Sequence, residues 1–222
     1  EGHSFGNLFL TAVCAITNGD MLEAARVATR VLNSCGQVLP STLSGMTLEA
    51  ELENGQRIVG ECHIPESGAR RIRRVRCQPE SPAATPEALE AIVNAEFLIL
   101  GPGSLYTSII PNLLVKGVPE AIVQSRAKKV YVCNVRTQKG ETSNYSVSDH
   151  VRALFEHAGF AGGSQIGAPR LVDRVLVHAD EHDGRNIPEP VRFDPEKLRV
   201  LGARPMVRDV ASVQSPGHHD PE

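Results

Sequence analysis

Phe5, Leu8, Phe9, Ala12 and Val13 recur at three- and four-residue intervals, the spacing of one apolar helix face. Asn18-Gly19 breaks that run, and Leu22, Ala25, Val27/Ala28 and Val31/Leu32 set up a second amphipathic helix over 21–32, closed near 33–36. The period then becomes two. Leu48, Ala50 and Leu52 alternate with polar residues, Asn54-Gly55 interrupts, and the pattern resumes through Ile58 to Cys62, blurred slightly at Ile58-Val59. An Asn-Gly pair between alternating runs predicts a β-hairpin with both turn residues at positive φ. Thr85-Pro86 then signals a helix start, with threonine as N-cap and proline at the first helical position, where its missing N–H is harmless.

From 97 onward the rhythm is strand, loop, helix. Strands are predicted over 97–100, 129–134, 171–178 and 205–210, and helices over 86–94, 105–115 and 148–157. A short segment covers 119–124 and a helical turn 195–198. Such alternation implies an α/β fold whose mostly parallel sheet has flanking helices, with the early β-hairpin as an antiparallel addition. No internal repeat or low-complexity segment interrupts the 222 residues.

Composition narrows the function. A net charge of −3 and a pI near 6.3 argue against a general nucleic-acid binder. Aromatics at 4% leave few platforms for stacking bases, and no apolar run approaches the roughly 20 residues of a membrane span. Five scattered cysteines without a CxxC pair suggest free thiols in a reducing cytoplasm. The chain opens at Glu1-Gly2-His3-Ser4 without methionine and stops after Pro221, where a helix would begin. Both ends read as cuts, so residues 1–222 are expected to form a single α/β domain of a longer protein.

Two loops follow strands, where ligands bind in such sheets. In the first, Gly101-Pro102-Gly103-Ser104-Leu105-Tyr106-Thr107-Ser108, the glycines allow close backbone approach, and the N–H groups of Gly103, Ser104 and Leu105 stand at a helix start suited to an anion. Ser104, Thr107 and Ser108 add hydroxyls. The loop lacks both the GK[ST] ending of a triphosphate loop and GxGxxG spacing. It fits a phosphate holder, and equally a tight strand-to-helix turn capped by hydroxyls. The second loop, 134–144, crowds Asn134, Thr137, Gln138, Glu141, Thr142, Ser143 and Asn144 into eleven residues. Amides and hydroxyls at that density suit a base or sugar better than a metal, which favours His, Cys or several carboxylates.

Other clusters have simpler readings. His178 to Gly184, "HADEHDG", fits a solvated loop better than a metal site. Cys62-His63 in the hairpin fits a packed thiol, and Cys133 beside the second loop a buried one. Asp149 is explained by helix capping. His150 stands near enough in sequence to reach a ligand, but is not assigned as a base. The arginines at 70–76 fit an exposed strand or loop whose charges discourage edge pairing, in preference to a phosphate or nucleic-acid site.

"GPGSLYTSIIPNLLV" and "VYVCNVRTQKGETSNYSVSDHV", with "GHSFGNLFLTA" and "VLPST" before them, resemble the gluconeogenesis factor family. That family is related to the phospho-lactate transferases of deazaflavin cofactor synthesis, and the resemblance covers nearly the whole chain. It implies a Rossmann-like fold in a cytoplasmic, bacterial regulator of carbon flux into cell-wall precursors and cell shape. The implied ligand is a UDP-sugar of the UDP-N-acetylglucosamine type. By position, Gly103, Ser104, Thr107 and Ser108 would meet the diphosphate. Asn134, Thr137 and Gln138 would line the cleft, with Gly6 and Asn7 close by, and Gly101 and Glu141 would belong to the same ligand site.

The resemblance implies no cofactor or metal. The partner would be a regulated metabolic or cell-wall enzyme, and the protein a homo-oligomer. Two features depart from the family. Its first strand and GGTG-type turn, which also cradle the nucleotide, are absent, about 100 residues by the fold's usual size; Arg136 stands where methionine is expected. A binding regulator without turnover is favoured over a transferase, because the first loop has no carboxylate or lysine and the "TQKGET" loop belongs to the regulator branch.

Overall fold

The computed structural model describes residues 5–68, 71–160, 170–178, 187–215 and 217–220. Two helices come first, α1 (Phe5–Ile16) and α2 (Met21–Val31), packed against each other. Asp20 caps α2 by accepting the Glu23 N–H at 3.0 Å. The apolar face read from α1 is mostly exposed: Val13 is its one buried residue, whereas Phe5 and Leu8 face outward. Helical periodicity finds such a stripe but not what covers it.

Strands β1 (Thr47–Leu52), β2 (Arg57–Val59) and β3 (Ile72–Gln78) form an antiparallel sheet in the order β2-β1-β3. The hairpin lies where Asn54-Gly55 placed it, but only Gly55 has positive φ. Leu52 donates to the Gln56 carbonyl, Gly55 donates to that of Leu52, and the Asn54 side chain accepts from the Gln56 N–H. The turn therefore gains a residue relative to the two-residue form, with glycine taking the left-handed position. Leu48, Ala50 and Leu52 point into the core as the alternation requires. On the outer face, Glu49 pairs with Arg57 and Glu51 with Arg73, at 3.3 and 3.0 Å. The arginine run is thus the charged face of an edge strand; Arg70 lies outside the described residues. Cys62 and His63 fall beyond the hairpin in a short 3-10 turn, Glu61–His63, and both are exposed, so the packed-thiol reading fails.

Helix α3 (Pro86–Asn94) begins at the predicted cap, where Thr85 accepts the Ala88 N–H and donates to the Pro40 carbonyl. Strands β4 (Phe97–Leu100), β5 (Lys128–Val132), β6 (Arg174–His178) and β7 (Arg204–Arg208) follow in spatial order β4-β5-β6-β7, every pairing parallel. Among the described strands β4 is an edge, and its Phe97 and Ile99 are exposed. A π-helical stretch, Leu105–Ile109, runs into α4 (Ile110–Leu113), then come α5 (Val118–Gln124), α6 (Val147–His157) and α7 (Pro195–Val200). The uniform helix expected over 105–115 is widened at its start and stops at Leu113. Pro111 explains part of this, since it has no N–H to close an α-turn onto Thr107.

One buried cluster joins the two sheets, from Leu48, Leu52 and Val75 to Tyr131, Val151 and Val175. His157 of α6 ties that helix to the antiparallel sheet: its Nε2 accepts the Val75 N–H at 2.9 Å and its Nδ1 donates to the Ala153 carbonyl. No helix among the described residues is long and apolar enough to cross a membrane.

Gly140 sits at φ +84°, and a Cβ built there would overlap the Pro65 carbonyl. Gly19 has the same φ but open space around it. Gly19→Ala should therefore cost about 1–2 kcal/mol, from backbone strain alone. Gly140→Ala should cost more than about 4 kcal/mol, because backbone must move as well. Urea unfolding of the two variants measures the difference; equal effects would mean that Pro65 yields freely.

Candidate functional site

Adjacent strands β4 and β5 end side by side, and the loops leaving them lie against one another. Gly101 starts the first loop at φ +85°, and a Cβ there would come within 3.1 Å of both the Val132 carbonyl and Ile109. Only glycine lets the loop turn this tightly over β5. The Gly101–Pro102 peptide is cis.

Five side chains join the loops. The Asn134 amide pairs with Gly103 as a strand would, donating to its carbonyl at 2.9 Å and accepting its N–H at 3.4 Å. Asn134 also donates to Gln138 Oε1. Gln138 Nε2 in turn donates to Ser104 Oγ at 2.8 Å. Buried Glu141 accepts the Tyr106 N–H on one oxygen and the Thr107 hydroxyl on the other, at 3.1 and 3.0 Å. Thr142 closes the second loop, accepting the Gln138 N–H on its hydroxyl and donating its own N–H to the Gln138 carbonyl.

Glu141 thus caps the helical start that the sequence offered to an anion. The cap is partial: it satisfies Tyr106, while the N–H groups of Ser104 and Leu105 have no protein acceptor among the described residues. Next to the loop, on the β4 edge, is a cavity of about 550 Å³ lined by Leu98, Leu100, Gly101, Pro102, Ser108 and Asn112 among others. That volume lies within the usual range of ligand pockets.

The predicted residues fall into four groups. Gly103, Ser104, Thr107, Asn134, Gln138 and Glu141 meet in the loop–loop network. Gly101 and Ser108 line the cavity. Thr137 is buried and donates through its N–H and hydroxyl to the Glu189 carbonyl, fastening the second loop to the 187–192 strap. Gly6 and Asn7 stand exposed in the first turn of α1 and do not line the cavity. Sequence reasoning missed Asn112 and Gln37 on the cavity wall. Asn112, one helical turn after Ser108 and donating to its carbonyl, was discoverable from spacing; Gln37 was not, since only tertiary folding brings it there.

Burial removes the other acid–base candidates. Asp149 completes a capping box with Ser146 at the start of α6. Burial alone would push its carboxyl up, but the Ser146 hydrogen bonds, Arg71 and Arg152 hold it below the ordinary range. His150 is fully buried, donates through Nδ1 to the Ser146 carbonyl, and is pushed down to a pKa of about 4 by that burial. Burial drives the Cys133 thiol up to about 12. Of the "HADEHDG" run only His178 lies within the described residues, at the end of β6. No group of three or more His, Cys, Asp or Glu is gathered for a metal among those residues.

Residues 1–211 match the family model of the 2-phospho-L-lactate transferase CofD. The chain is 44% identical to a putative gluconeogenesis factor of Nostoc sp., over 100% of this chain and 48% of that one. It is 43% identical to the gluconeogenesis factor of Bacillus subtilis, over 94% of this chain and 64% of that one. A crystal structure of a upf0052 family protein from Bacillus halodurans superposes with a TM-score of 0.84 at 40% identity, over 99% of this chain and 70% of that one. The chain therefore spans about half to two thirds of the length of the curated relatives it matches.

Burial raises the Glu141 pKa above its ordinary value of 4.5, and the bonds from Tyr106 and Thr107 offset this only in part. A carboxyl whose folded pKa is raised holds its proton better folded than unfolded. Its contribution is therefore most favourable below the unfolded value and is lost as pH rises through the folded one. Unfolding free energies of the native and Glu141→Gln chains should diverge over that window, the native chain losing stability relative to the variant as pH rises. Parallel profiles would show that Glu141 is not held in this environment.

Proposed function

We propose, for a chain that belongs to the 2-phospho-L-lactate transferase CofD family and is similar to its gluconeogenesis factors, that it binds a UDP-sugar of the UDP-N-acetylglucosamine type at the paired loops. On this reading it acts in the cytoplasm of a bacterium as a regulator, linking central carbon metabolism to cell-wall precursor supply and cell shape through a partner enzyme. The observation that carries it is a helix start where the Ser104 and Leu105 N–H groups have no protein acceptor among the described residues, in the same loop whose Gly101, Pro102 and Ser108 line the cavity. Diphosphate oxygens are suited to such donors. Ser108 and Asn112 on the cavity wall suit hydroxyls, and the apolar Leu98 and Leu100 beside them suit a ring face.

Ser104 and Thr107 carry the first test. Replacing each with alanine should weaken UDP-N-acetylglucosamine by about 1–2 kcal/mol in a calorimetric titration, with UDP-glucose and GDP as comparisons. Because both hydroxyls also serve the loop–loop network, unfolding is measured in parallel. An affinity that survives in the double variant would remove the diphosphate role.

A second reading, in keeping with the family model's description as a 2-phospho-L-lactate transferase, is transfer of a phosphorylated three-carbon acid from a nucleotide to a deazaflavin hydroxyl. Both oxygens of Glu141, the one carboxylate between the loops, are held by Tyr106 and Thr107, which supports binding without turnover. Incubation of the protein with UDP-N-acetylglucosamine and Mg²⁺, with and without a deazaflavin acceptor, is expected to return intact ligand. Sustained release of UDP or UMP that disappears in Glu141→Gln would make the chain a transferase.

A further inference from the structure

At the other end of the second loop is a larger cleft, about 740 Å³, that shares no lining residue with the cavity at the β4 edge. Arg71, Arg192 and Lys197 converge on it, with Asn54, Ser143 and Asn144 between them. Four parts of the chain supply these groups: the β1–β2 turn, the residue before β3, the end of the second loop, and the stretch from 192 into α7. We propose that this cleft is a second ligand site, which binds the phosphate of a phosphorylated polyol between Arg192 and Lys197 and its hydroxyls along Asn54, Ser143 and Asn144.

The charges support an anion. Three cations and two carboxylates, Glu53 and Asp149, line the cleft. Asp149 is already committed, accepting the Ser146 N–H and hydroxyl and pairing with Arg71 at 3.4 Å and Arg152 at 3.1 Å. Arg71 is fixed by that pair and by the Tyr145 ring, 4.8 Å below its guanidinium. By contrast, neither the Arg192 guanidinium nor the Lys197 ammonium has a hydrogen-bond or ion-pair partner among the described residues. Two cations with no partner among the described residues, on one concave wall, concentrate positive potential there.

The frame holding them is built beforehand. The Val147 N–H donates to the Arg192 carbonyl at 2.9 Å. Asp194, just before α7, accepts the Ser148 N–H and hydroxyl at 3.0 and 2.5 Å, tying the Lys197 helix to the first turn of α6. Asn144 holds φ +63°, a left-handed position that turns the loop into the cleft wall. A frame ordered before binding spares the ligand that entropy.

The test titrates the protein calorimetrically with inorganic phosphate, glycerol 3-phosphate and glycerol. Glycerol 3-phosphate should bind more tightly than phosphate, glycerol should give no signal, and both anions should weaken with added salt. Arg192→Ala/Lys197→Ala removes two exposed side chains and should leave thermal unfolding unchanged while weakening both anions at least roughly tenfold. Ser104→Ala/Thr107→Ala should leave them unaffected, which separates this cleft from the paired loops. Absent phosphate binding, an unchanged affinity in the Arg192/Lys197 variant, or a loss in the Ser104/Thr107 variant would overturn the site. Equal affinity for phosphate and glycerol 3-phosphate would overturn the polyol contacts.

Discussion

Glu141 sets one carboxylate oxygen on the Tyr106 N–H and the other on the Thr107 hydroxyl, and the carboxyl end of the sheet is arranged around those two bonds. A hydrogen bond to a charged group contributes about 1.5–3 kcal/mol, while burying a carboxylate costs several kcal/mol. The two terms are of similar size, so the contact gives position more than stability. It fixes the helical start at Tyr106 to a loop 35 residues further along the chain. With Asn134 on Gly103 and Gln138 on Ser104, the loops become one surface, and the N–H groups of Ser104 and Leu105 are left without a protein acceptor among the described residues.

Helical geometry near Ser104 belongs to the same arrangement. Ser108 and Ile109 both donate to the Ser104 carbonyl at 3.0 Å, and Ile110 donates to that of Leu105. The widened turn absorbs Pro111, which lacks a donor, and still delivers Ile109, Ile110 and Leu113 to the core. Widened turns of this kind recur where a helix must satisfy packing on one side and a site on the other.

Aromatic and imidazole rings then join the loop pair to the three-stranded sheet. The Tyr106 and Tyr145 hydroxyls are 2.7 Å apart, Tyr106 packs edge-on against His157, and His157 accepts from Val75 of β3. Burial lowers the His157 pKa and raises that of Tyr145, which keeps both rings neutral near pH 7. A neutral His157 is what the geometry requires, since Nε2 must accept while Nδ1 donates. The antiparallel sheet is therefore bonded to the helix that follows the second loop.

Local pattern alone determined much of this protein. The period-two run gave β1 with its buried face, Thr85-Pro86 gave the start of α3, and strand–loop–helix alternation gave the parallel sheet and the two loops at its carboxyl end. Each depends on residues a few positions apart, so the sequence carries the information directly. The loop motifs also carried the family resemblance. Tertiary structure decided the rest, because the deciding partners are distant. The outward face of α1 depends on what packs beside it, and the single left-handed residue at Asn54-Gly55 on the extra loop residue set by the Leu52–Gln56 pairing. Gly140 is constrained by Pro65, 75 residues earlier. No spacing rule distinguishes Glu141 reaching Tyr106 from Glu141 reaching a ligand, because a carboxylate takes either kind of donor and only the fold settles which one is within 3.1 Å.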